Sequence, residues 1–585
     1  MTPEPRARFG LPEPAGRSAL LWVLLPHAVF VVLWVATFRR WILPFEDSGR
    51  EMNTAWRLAC GESLYRDVGY SYGPLAPVLD AGLLRLFGRS VDVLVAWRTA
   101  AALLGVEALR RLAARLARGA AASSAIAAFA VAACAFGVGG SWPFPYSVAA
   151  LLGMVLTWAS VERALSSGRL RASLAAGLLA GLAAACKLEV VPGALAALFF
   201  ALLAHRSRRE AAGVAALAGG VAALAYGAPV ALFGLPLMRR QGFLISLDLP
   251  ESWRRVYERS VVFGGMSRAD FLGGGFLGVL FPSAVFLAVS FLLLRLRRAD
   301  APAFRVGFFL LAVVATVAGP RNEALHALLP AALLAITAAL ASGVVRLARG
   351  DRSGAVYAAV AAAALPAVLR QPFFLRNPVY GAFSAPLALV VVLAWAARRV
   401  EARRAFLAAV LGLGAAQAAL RIEGIALAPL ALTRLPGLSA FLLPEEGRFL
   451  TEAAAAIEKA VPPGGAAAVF PEPGTLLFVT NRRNPFVDEL FLPGVQDAAA
   501  EDEMIRRLDA DPPAVILVTN RRFPEFGAAT YGHGLLDRFF AKIAARYTAA
   551  GTIGGGPAAL RHASSAVLLV PRASGPPAPS APLPR

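Results

Sequence analysis

Cysteine, histidine and charged residues are all scarce in this chain. Its 585 residues include three cysteines and five histidines, and their wide spacing excludes a disulfide framework or a zinc site with regular ligand spacing. Charged residues make up 16% of the chain and hydrophobic residues 58%, whereas soluble globular proteins are about 25% charged. These proportions exclude both a disordered chain and an ordinary soluble protein.

Acidic residues are scarcer than basic ones. The chain has 58 lysines and arginines but 37 aspartates and glutamates, which gives a formal net charge of +21. On a soluble protein this excess would suggest nucleic acid, but here the arginines form short clusters between long apolar runs. That pattern is typical of a polytopic membrane protein, whose basic clusters mark the cytoplasmic loops. We therefore expect contact with membrane lipid and no nucleic-acid partner.

The apolar runs are long enough to cross a bilayer, since a transmembrane helix needs roughly 20 apolar residues. They predict about thirteen transmembrane helices, near 19–38, 91–109, 120–138, 146–161, 172–186, 188–204, 211–235, 271–294, 306–319, 325–345, 355–369, 380–397 and 405–428. Arginine clusters follow every even-numbered span. This alternation predicts a cytoplasmic N-terminal segment at 1–18, a transmembrane domain at 19–428 and a first outer loop at 39–90.

The composition changes after residue 428, where charged residues return. Short β-type runs at 466–470, 476–480, 514–519 and 566–570 alternate with helical stretches near 445–460, 500–509 and 533–546. This alternation predicts an α/β domain at 429–572 on the outer face of the membrane. Residues 573–585 are rich in proline, serine and alanine and are expected to be disordered.

The first outer loop contains the strongest candidates for chemistry. Glu46 and Asp47 follow directly on the first span. A carboxylate at the membrane–water boundary can take a proton from an acceptor hydroxyl or hold a cation. The competing interpretation is that the loop carries acids for solubility. Two carboxylates suit Mg²⁺ or Mn²⁺, but the sequence offers no third protein ligand, so the metal question stays open.

Cations at outer helix ends form a second group of candidates. Lys187 lies in a turn between two apolar spans, where a lysine is costly unless it is paired or liganded. It can bind a phosphate, pair with Glu189 or extend to the membrane interface. Arg321 and His326 lie at another outer helix end, where they share the phosphate or anchor the helix at the interface. Weaker candidates of the same kind are Arg98 and Arg376.

Several of these residues fall into a pattern. The first loop combines Glu46-Asp47, a stretch from Gly61 to Tyr65 and Asp67, and the turn Gly73-Pro74-Leu75. The motifs continue at 181–189, which includes Lys187, and at 321–330, which includes Arg321 and His326. In these features the chain resembles the GT-C glycosyltransferases, a family that includes the protein O-mannosyltransferases and the lipid A aminoarabinose transferases.

The resemblance implies transfer of a hexose or pentose from a polyprenyl-phosphate carrier to a glycan, lipid or protein acceptor. The reaction would be an inverting displacement at the outer face of a bacterial plasma membrane, with Asp47 as the base and Glu46 as the competitor. Donor phosphate would be bound by Lys187, Arg321 and His326. Substrate would be contacted by Tyr65, Asp67, Tyr72 and Glu189, although tyrosines also populate membrane interfaces.

One departure from the family concerns residue 73. Aminoarabinose transferases carry a phosphate-binding lysine before the prolines of this turn, and here that position is Gly73. The donor phosphate must therefore be bound by other residues.

Two other classes of function are kept as alternatives: a transporter or flippase for a lipid-linked glycan, and a non-catalytic assembly protein. Transporters tend to show internal repeats with interrupted helices, and none is found in the sequence.

Overall fold

The structure is a computed structural model. It describes residues 17–45, 47–117, 119–136, 141–145, 147–244, 301–318, 323–369, 385–398, 400, 402–491, 496–521, 530–532, 534–555 and 563–572.

Helices dominate the described part of residues 17–430, because runs of alanine and leucine favour helix and bury their side chains against one another. The helices are α1 (Arg17–Ala36), α2 (Asp47–Ala59), α3 (Leu75–Phe87), α4 (Val91–Leu116), α5 (Ala120–Cys134), α6 (Val148–Ser166), α7 (Leu170–Ala184), α8 (Val191–Leu202), α9 (Arg208–Phe233), α10 (Leu235–Gln241), α11 (Pro302–Ala318), α12 (Glu323–Ala348), α13 (Gly354–Leu369), α14 (Pro386–Ala397) and α15 (Arg403–Arg421).

Within the described residues, three helices are long and apolar enough to cross a membrane: Val148–Ser166, Arg208–Phe233 and Arg403–Ala426. Eight further apolar helices in that part of the chain have 10–17 residues, and they fall on predicted spans. The predicted span at 271–294 lies outside the described residues. A helical, membrane-type architecture is thus present, and the number of thirteen spans stays a prediction.

The C-terminal region contains the strands. Strands β1 (Ala431–Leu435) and β2 (Leu438–Leu442) form a hairpin. A second sheet has four strands: β3 (Ala467–Phe470), β4 (Val515–Thr519), β7 (Tyr547–Gly554) and β8 (Ser565–Pro571). Their order is β3-β4-β8-β7; β3 is parallel to β4, and the other neighbours are antiparallel. The remaining elements are α16 (Pro444–Ala460), α17 (Gly474–Thr480), α18 (Ala498–Ala510), β5 (Thr530–Tyr531), β6 (Gly534–Leu535) and α19 (Asp537–Arg546).

The strand prediction at 476–480 is wrong. These residues belong to the short helix α17, in which every residue is buried. A short apolar run that is buried on all sides has no helical or strand periodicity, so its sequence alone does not distinguish the two. The runs at 466–470, 514–519 and 566–570 do form strands, and the three predicted helices are present.

Helix α17 matters because it packs against α2, the helix that begins the first loop. Their backbones approach closely at Gly49 and Gly474: a Cβ added to Gly474 would lie 2.2 Å from the carbonyl carbon of Gly49. The Thr475 hydroxyl also donates a hydrogen bond to the carbonyl oxygen of Pro44 (2.5 Å). The C-terminal region therefore fixes the position of the first-loop helix.

Candidate active site

Helix α2 begins at Asp47, so the predicted base is the first residue of a helix rather than part of an irregular loop. Arg50 follows one turn later, and its Nη1 atom lies 3.0 Å from the Asp47 Oδ1 atom. The Asp47 side chain is 37% exposed, whereas that of Arg50 is 12% exposed. The accessible Asp47 carboxylate is thus paired with the buried Arg50 guanidinium, because residues at the (i, i+3) spacing lie on the same side of a helix.

Glu51 is the next carboxylate on α2 and is buried, with 2% of its surface exposed. Its Oε1 atom lies 3.3 Å from Arg50 Nη2, and the Tyr70 hydroxyl donates to its Oε2 atom at 3.2 Å. Burial raises the pKa of Glu51 to about 7, although the neighbouring Arg50 charge opposes the rise. This side chain therefore changes its charge near neutral pH.

The segment after Tyr70 is bound to the end of helix α7. The Gly73 N–H donates to the Cys186 carbonyl oxygen at 2.9 Å, and a Cβ at position 73 would lie 2.2 Å from the Ala185 carbonyl oxygen. Only glycine allows this approach. The contact places Tyr72 beside Lys187, although the two residues are more than a hundred positions apart in the chain.

Lys187 follows α7 in extended conformation, and its side chain is 10% exposed. Its Nζ atom lies 4.8 Å from the centre of the Tyr72 ring and 3.3 Å from the Glu189 Oε2 atom. The Arg50 guanidinium lies 5.7 Å from the same ring. Two cations, one from α2 and one from the end of α7, thus meet at Tyr72 in cation–π geometry.

A second buried pair lies next to this group. The Asp80 Oδ2 atom of α3 accepts from Arg98 Nη2 of α4 at 2.5 Å, and its Oδ1 atom accepts from the Trp97 indole at 2.8 Å. The Arg98 guanidinium also lies 4.7 Å from the Phe144 ring centre. Arg98, a weaker phosphate candidate from the sequence, is fully buried in this pair.

The C-terminal region contributes a buried charge to the other end of α2. Glu489 accepts from Arg57 Nη1 at 2.6 Å and from Asn53 Nδ2 at 2.9 Å. The side chains of Arg57 and Glu489 are 4% and 1% exposed, and Arg57 also pairs with Glu62 at 2.6 Å. Because a buried charge is costly without a partner, this pair ties α2 to the C-terminal region.

The other predicted site residues lie in different surroundings. Asp67 accepts from the Ser63 N–H at 2.9 Å, and a hydrogen bond from Arg66 lowers its pKa. The Tyr65 hydroxyl donates to the Tyr72 carbonyl oxygen at 2.7 Å, so it supports the backbone of the site. The roles of Asp67 and Tyr65 in binding substrate stay predictions.

Three further site residues are predicted by the sequence. Glu46 and Arg321 lie outside the described residues, and His326 belongs to α12. Across the part of the chain that the structure describes, no three His, Cys, Asp or Glu side chains are grouped as metal ligands.

Sequence reasoning missed Arg50, Glu51 and the charge of Glu489. Arg50 and Glu51 lie three and four positions after Asp47, so the helical spacing of α2 was the signal that could have found them. Glu489 lies in a distant part of the chain, and no local pattern connects it to Arg57.

A family comparison bears directly on this region. Residues 71–233 match the model of the family described as dolichyl-phosphate-mannose-protein mannosyltransferase. The chain resembles this family. The match confirms the glycosyltransferase resemblance predicted from the sequence, and the matched residues of the mannosyltransferase family model include Tyr72, Gly73 and Lys187.

No curated protein matches the chain. Two solved structures are similar over most of its length: the crystal structures of ArnT from Cupriavidus metallidurans bound to undecaprenyl phosphate and in the apo state. The first is 15% identical, covers 96% of this chain and 100% of that chain, and has a TM-score of 0.44. The second is 13% identical, with coverages of 94% and 98% and a TM-score of 0.41.

Proposed function

We propose that this protein is a membrane glycosyltransferase that moves a sugar from a polyprenyl-phosphate carrier to an acceptor at the outer face of a bacterial plasma membrane. The observation that carries the proposal is the meeting of one accessible carboxylate, Asp47, with two cations, Arg50 and Lys187, around Tyr72. A sugar transfer from a lipid phosphate needs a proton acceptor and positive charge at the leaving group.

Asp47 is the base in this reaction. Its carboxylate takes the proton of an acceptor hydroxyl while that oxygen attacks the anomeric carbon from the face opposite the phosphate. The new C–O bond forms as the bond to the phosphate oxygen breaks, so the configuration is inverted. The exposed side of Asp47 supports this role, since the acceptor must reach it from solvent.

Lys187 stabilises the departing lipid phosphate, which gains negative charge as the bond breaks. The lysine that aminoarabinose transferases carry at this turn has no room here, because any side chain at Gly73 would collide with Ala185. Lys187 reaches the neighbouring residue Tyr72 from the end of α7. A cation is thus supplied beside the same turn by a different part of the chain.

The test compares native protein with Asp47→Asn in cell membranes, using mass spectrometry of prenyl-phosphate sugars and outer-face glycans. We expect transfer to fall by a factor of about 10² to 10⁴, with one lipid-linked sugar accumulating and one glycan losing the matching residue. Glu452→Gln is the control, since Glu452 is an exposed carboxylate on α16.

If both pools stay unchanged in Asp47→Asn while the variant is present and folded, Asp47 is not the base. The transporter and assembly functions would then be preferred. A change in the glycan of Glu452→Gln equal to that of Asp47→Asn would also contradict the assignment, because it would show a general effect of removing a carboxylate.

A further inference from the structure

Glu51 is a charged group that the proposed reaction does not use. It lies one turn from Asp47, is 2% exposed, and contacts Arg50 and the Tyr70 hydroxyl. A buried carboxylate costs free energy unless it is paired and hydrogen-bonded, and Glu51 has both kinds of partner. Its position next to the predicted base suggests that it acts on that base.

The guanidinium of Arg50 connects the two carboxylates. Nη1 binds Asp47 at 3.0 Å and Nη2 binds Glu51 at 3.3 Å. Because the guanidinium is a rigid planar fork, a change at one arm reorients the other. The side chain of Arg50 is 12% exposed, so it has little freedom to respond in any other way.

We propose that Glu51 is a positioning residue for Asp47: its ionised carboxylate holds one arm of Arg50, and protonation of Glu51 transfers the full charge of Arg50 to Asp47. This inference rests on the proposed function, in which Asp47 is the base. It adds a residue and a pH dependence that the family resemblance does not supply.

The charged and titratable groups around Glu51 come from three helices and one loop. They are Arg50 and Asp47 on α2, Asp80 on α3, Arg98 on α4, and the hydroxyls of Tyr70 and Tyr72 in the loop between α2 and α3. Asp80 and Arg98 pair with each other, so their charges largely offset. Burial is the largest influence on Glu51 and raises its pKa to about 7, and Arg50 is the cation that most opposes the rise.

The direction of the effect follows from the sharing of Arg50. When Glu51 is ionised, Arg50 divides its charge between two carboxylates, so only part of that charge acts on Asp47. When Glu51 is protonated, the full charge of Arg50 acts on the Asp47 carboxylate, and transfer of the acceptor proton to that carboxylate is less favourable. Transfer by the native protein should therefore rise with pH through about 7.

The decisive variant is Glu51→Gln, which keeps the shape and can still accept from Tyr70 but cannot ionise. We expect kcat to fall about tenfold, as for a small misplacement of a catalytic group, with the rise near neutral pH lost and the donor KM within about twofold. Tyr70→Phe removes a donor to the ionised carboxylate, so the rise should move to higher pH. A Glu51→Gln protein with the native pH profile would overturn the inference.

An infrared titration gives a readout that needs no substrate. The difference between native and Glu51→Gln spectra should contain the carbonyl stretch of a protonated carboxylic acid that fades as pH rises through about 7. Absence of that band between about pH 5 and pH 8 would overturn the inference whatever the transfer assay gives. Native protein that titrates as expected but transfers no lipid-linked sugar would instead overturn the proposed function.

Discussion

At the scale of single residues, substitution of Lys187 tests donor binding separately from proton transfer by Asp47. Lys187→Met keeps the length and apolar stem of the side chain but removes the charge beside Tyr72. We expect the donor KM to rise and kcat/KM to fall by at least about tenfold, equivalent to about 1.4 kcal/mol of lost transition-state stabilisation. The measurement is a steady-state assay with a purified lipid-linked donor.

Lys187→Arg is the matched control, because it keeps the positive charge on a bulkier head group. It should recover part of the lost kcat/KM, since arginine also binds phosphate. Equal losses in both variants would mean that the shape of the turn after α7 matters and the charge does not. The packing of Lys187 in that turn would then be its main role.

Residue-level chemistry was only partly predictable from the sequence. Asp47 and Lys187 were identified from their positions at helix ends, and both lie in the cluster around Tyr72. The part that was not predictable depends on burial. Burial among other elements raises the pKa of Glu51 to about 7, and a sequence pattern does not show which distant elements will enclose a side chain.

At the scale of elements, the docking of the first loop on α7 depends on one glycine. Gly73→Ala would place a methyl group 2.2 Å from the Ala185 carbonyl oxygen, so the loop must move and Tyr72 must leave Lys187. We expect a loss of about 1–3 kcal/mol of stability together with weaker donor binding. Thermal unfolding in detergent and the donor KM measure the two effects.

Gly82→Ala is the control. Gly82 lies in helix α3, which follows the Gly73 turn, and a Cβ at Gly82 would contact nothing within 4 Å. Alanine should stabilise the helix by roughly 0.5–1 kcal/mol because it reduces the entropy lost on folding. Similar destabilisation by both substitutions would contradict the role given to the contact at Gly73.

The buried pair of Arg57 and Glu489 attaches α2 to the C-terminal region. Glu489→Ala leaves the buried Arg57 with fewer partners, and breaking such a pair costs about 3–5 kcal/mol. The double variant Arg57→Met, Glu489→Leu should recover much of this loss, because no buried charge is left unpaired. Unfolding curves of the single and double variants test the coupling. Equal stability of Glu489→Ala and native protein would show that the pair contributes nothing to docking.

Elements themselves were predicted with mixed success. The β3, β4 and β8 runs are predictable because each is a short apolar segment bounded by glycine, proline or a polar residue. The sequence of helix α17 predicts a strand, because its burial against α2 removes the polar face that marks a helix. Strand β7 was not predicted, because its exposed, glycine-containing sequence lacks the apolar alternation of a half-buried strand.

At the scale of the whole molecule, the three cysteines provide a test of the predicted orientation. Cys60 is exposed and directly follows α2, in the segment predicted to be the first outer loop, whereas Cys134 and Cys186 are buried. A membrane-impermeant maleimide added to intact spheroplasts should label native protein once and Cys60→Ser not at all. Labelling is best done at about pH 8, because burial raises the pKa of the Cys60 thiol.

The opposite face is tested by placing a cysteine at Arg209, in an arginine cluster predicted to be cytoplasmic. Arg209 is exposed at the start of α9, so Arg209→Cys in the Cys60→Ser background should react only after the membrane is permeabilised. The alternation of arginine clusters requires these two results together. Labelling of Cys60 only after permeabilisation would place Asp47 and Lys187 on the cytoplasmic side, and the acceptor would then have to be a cytoplasmic molecule.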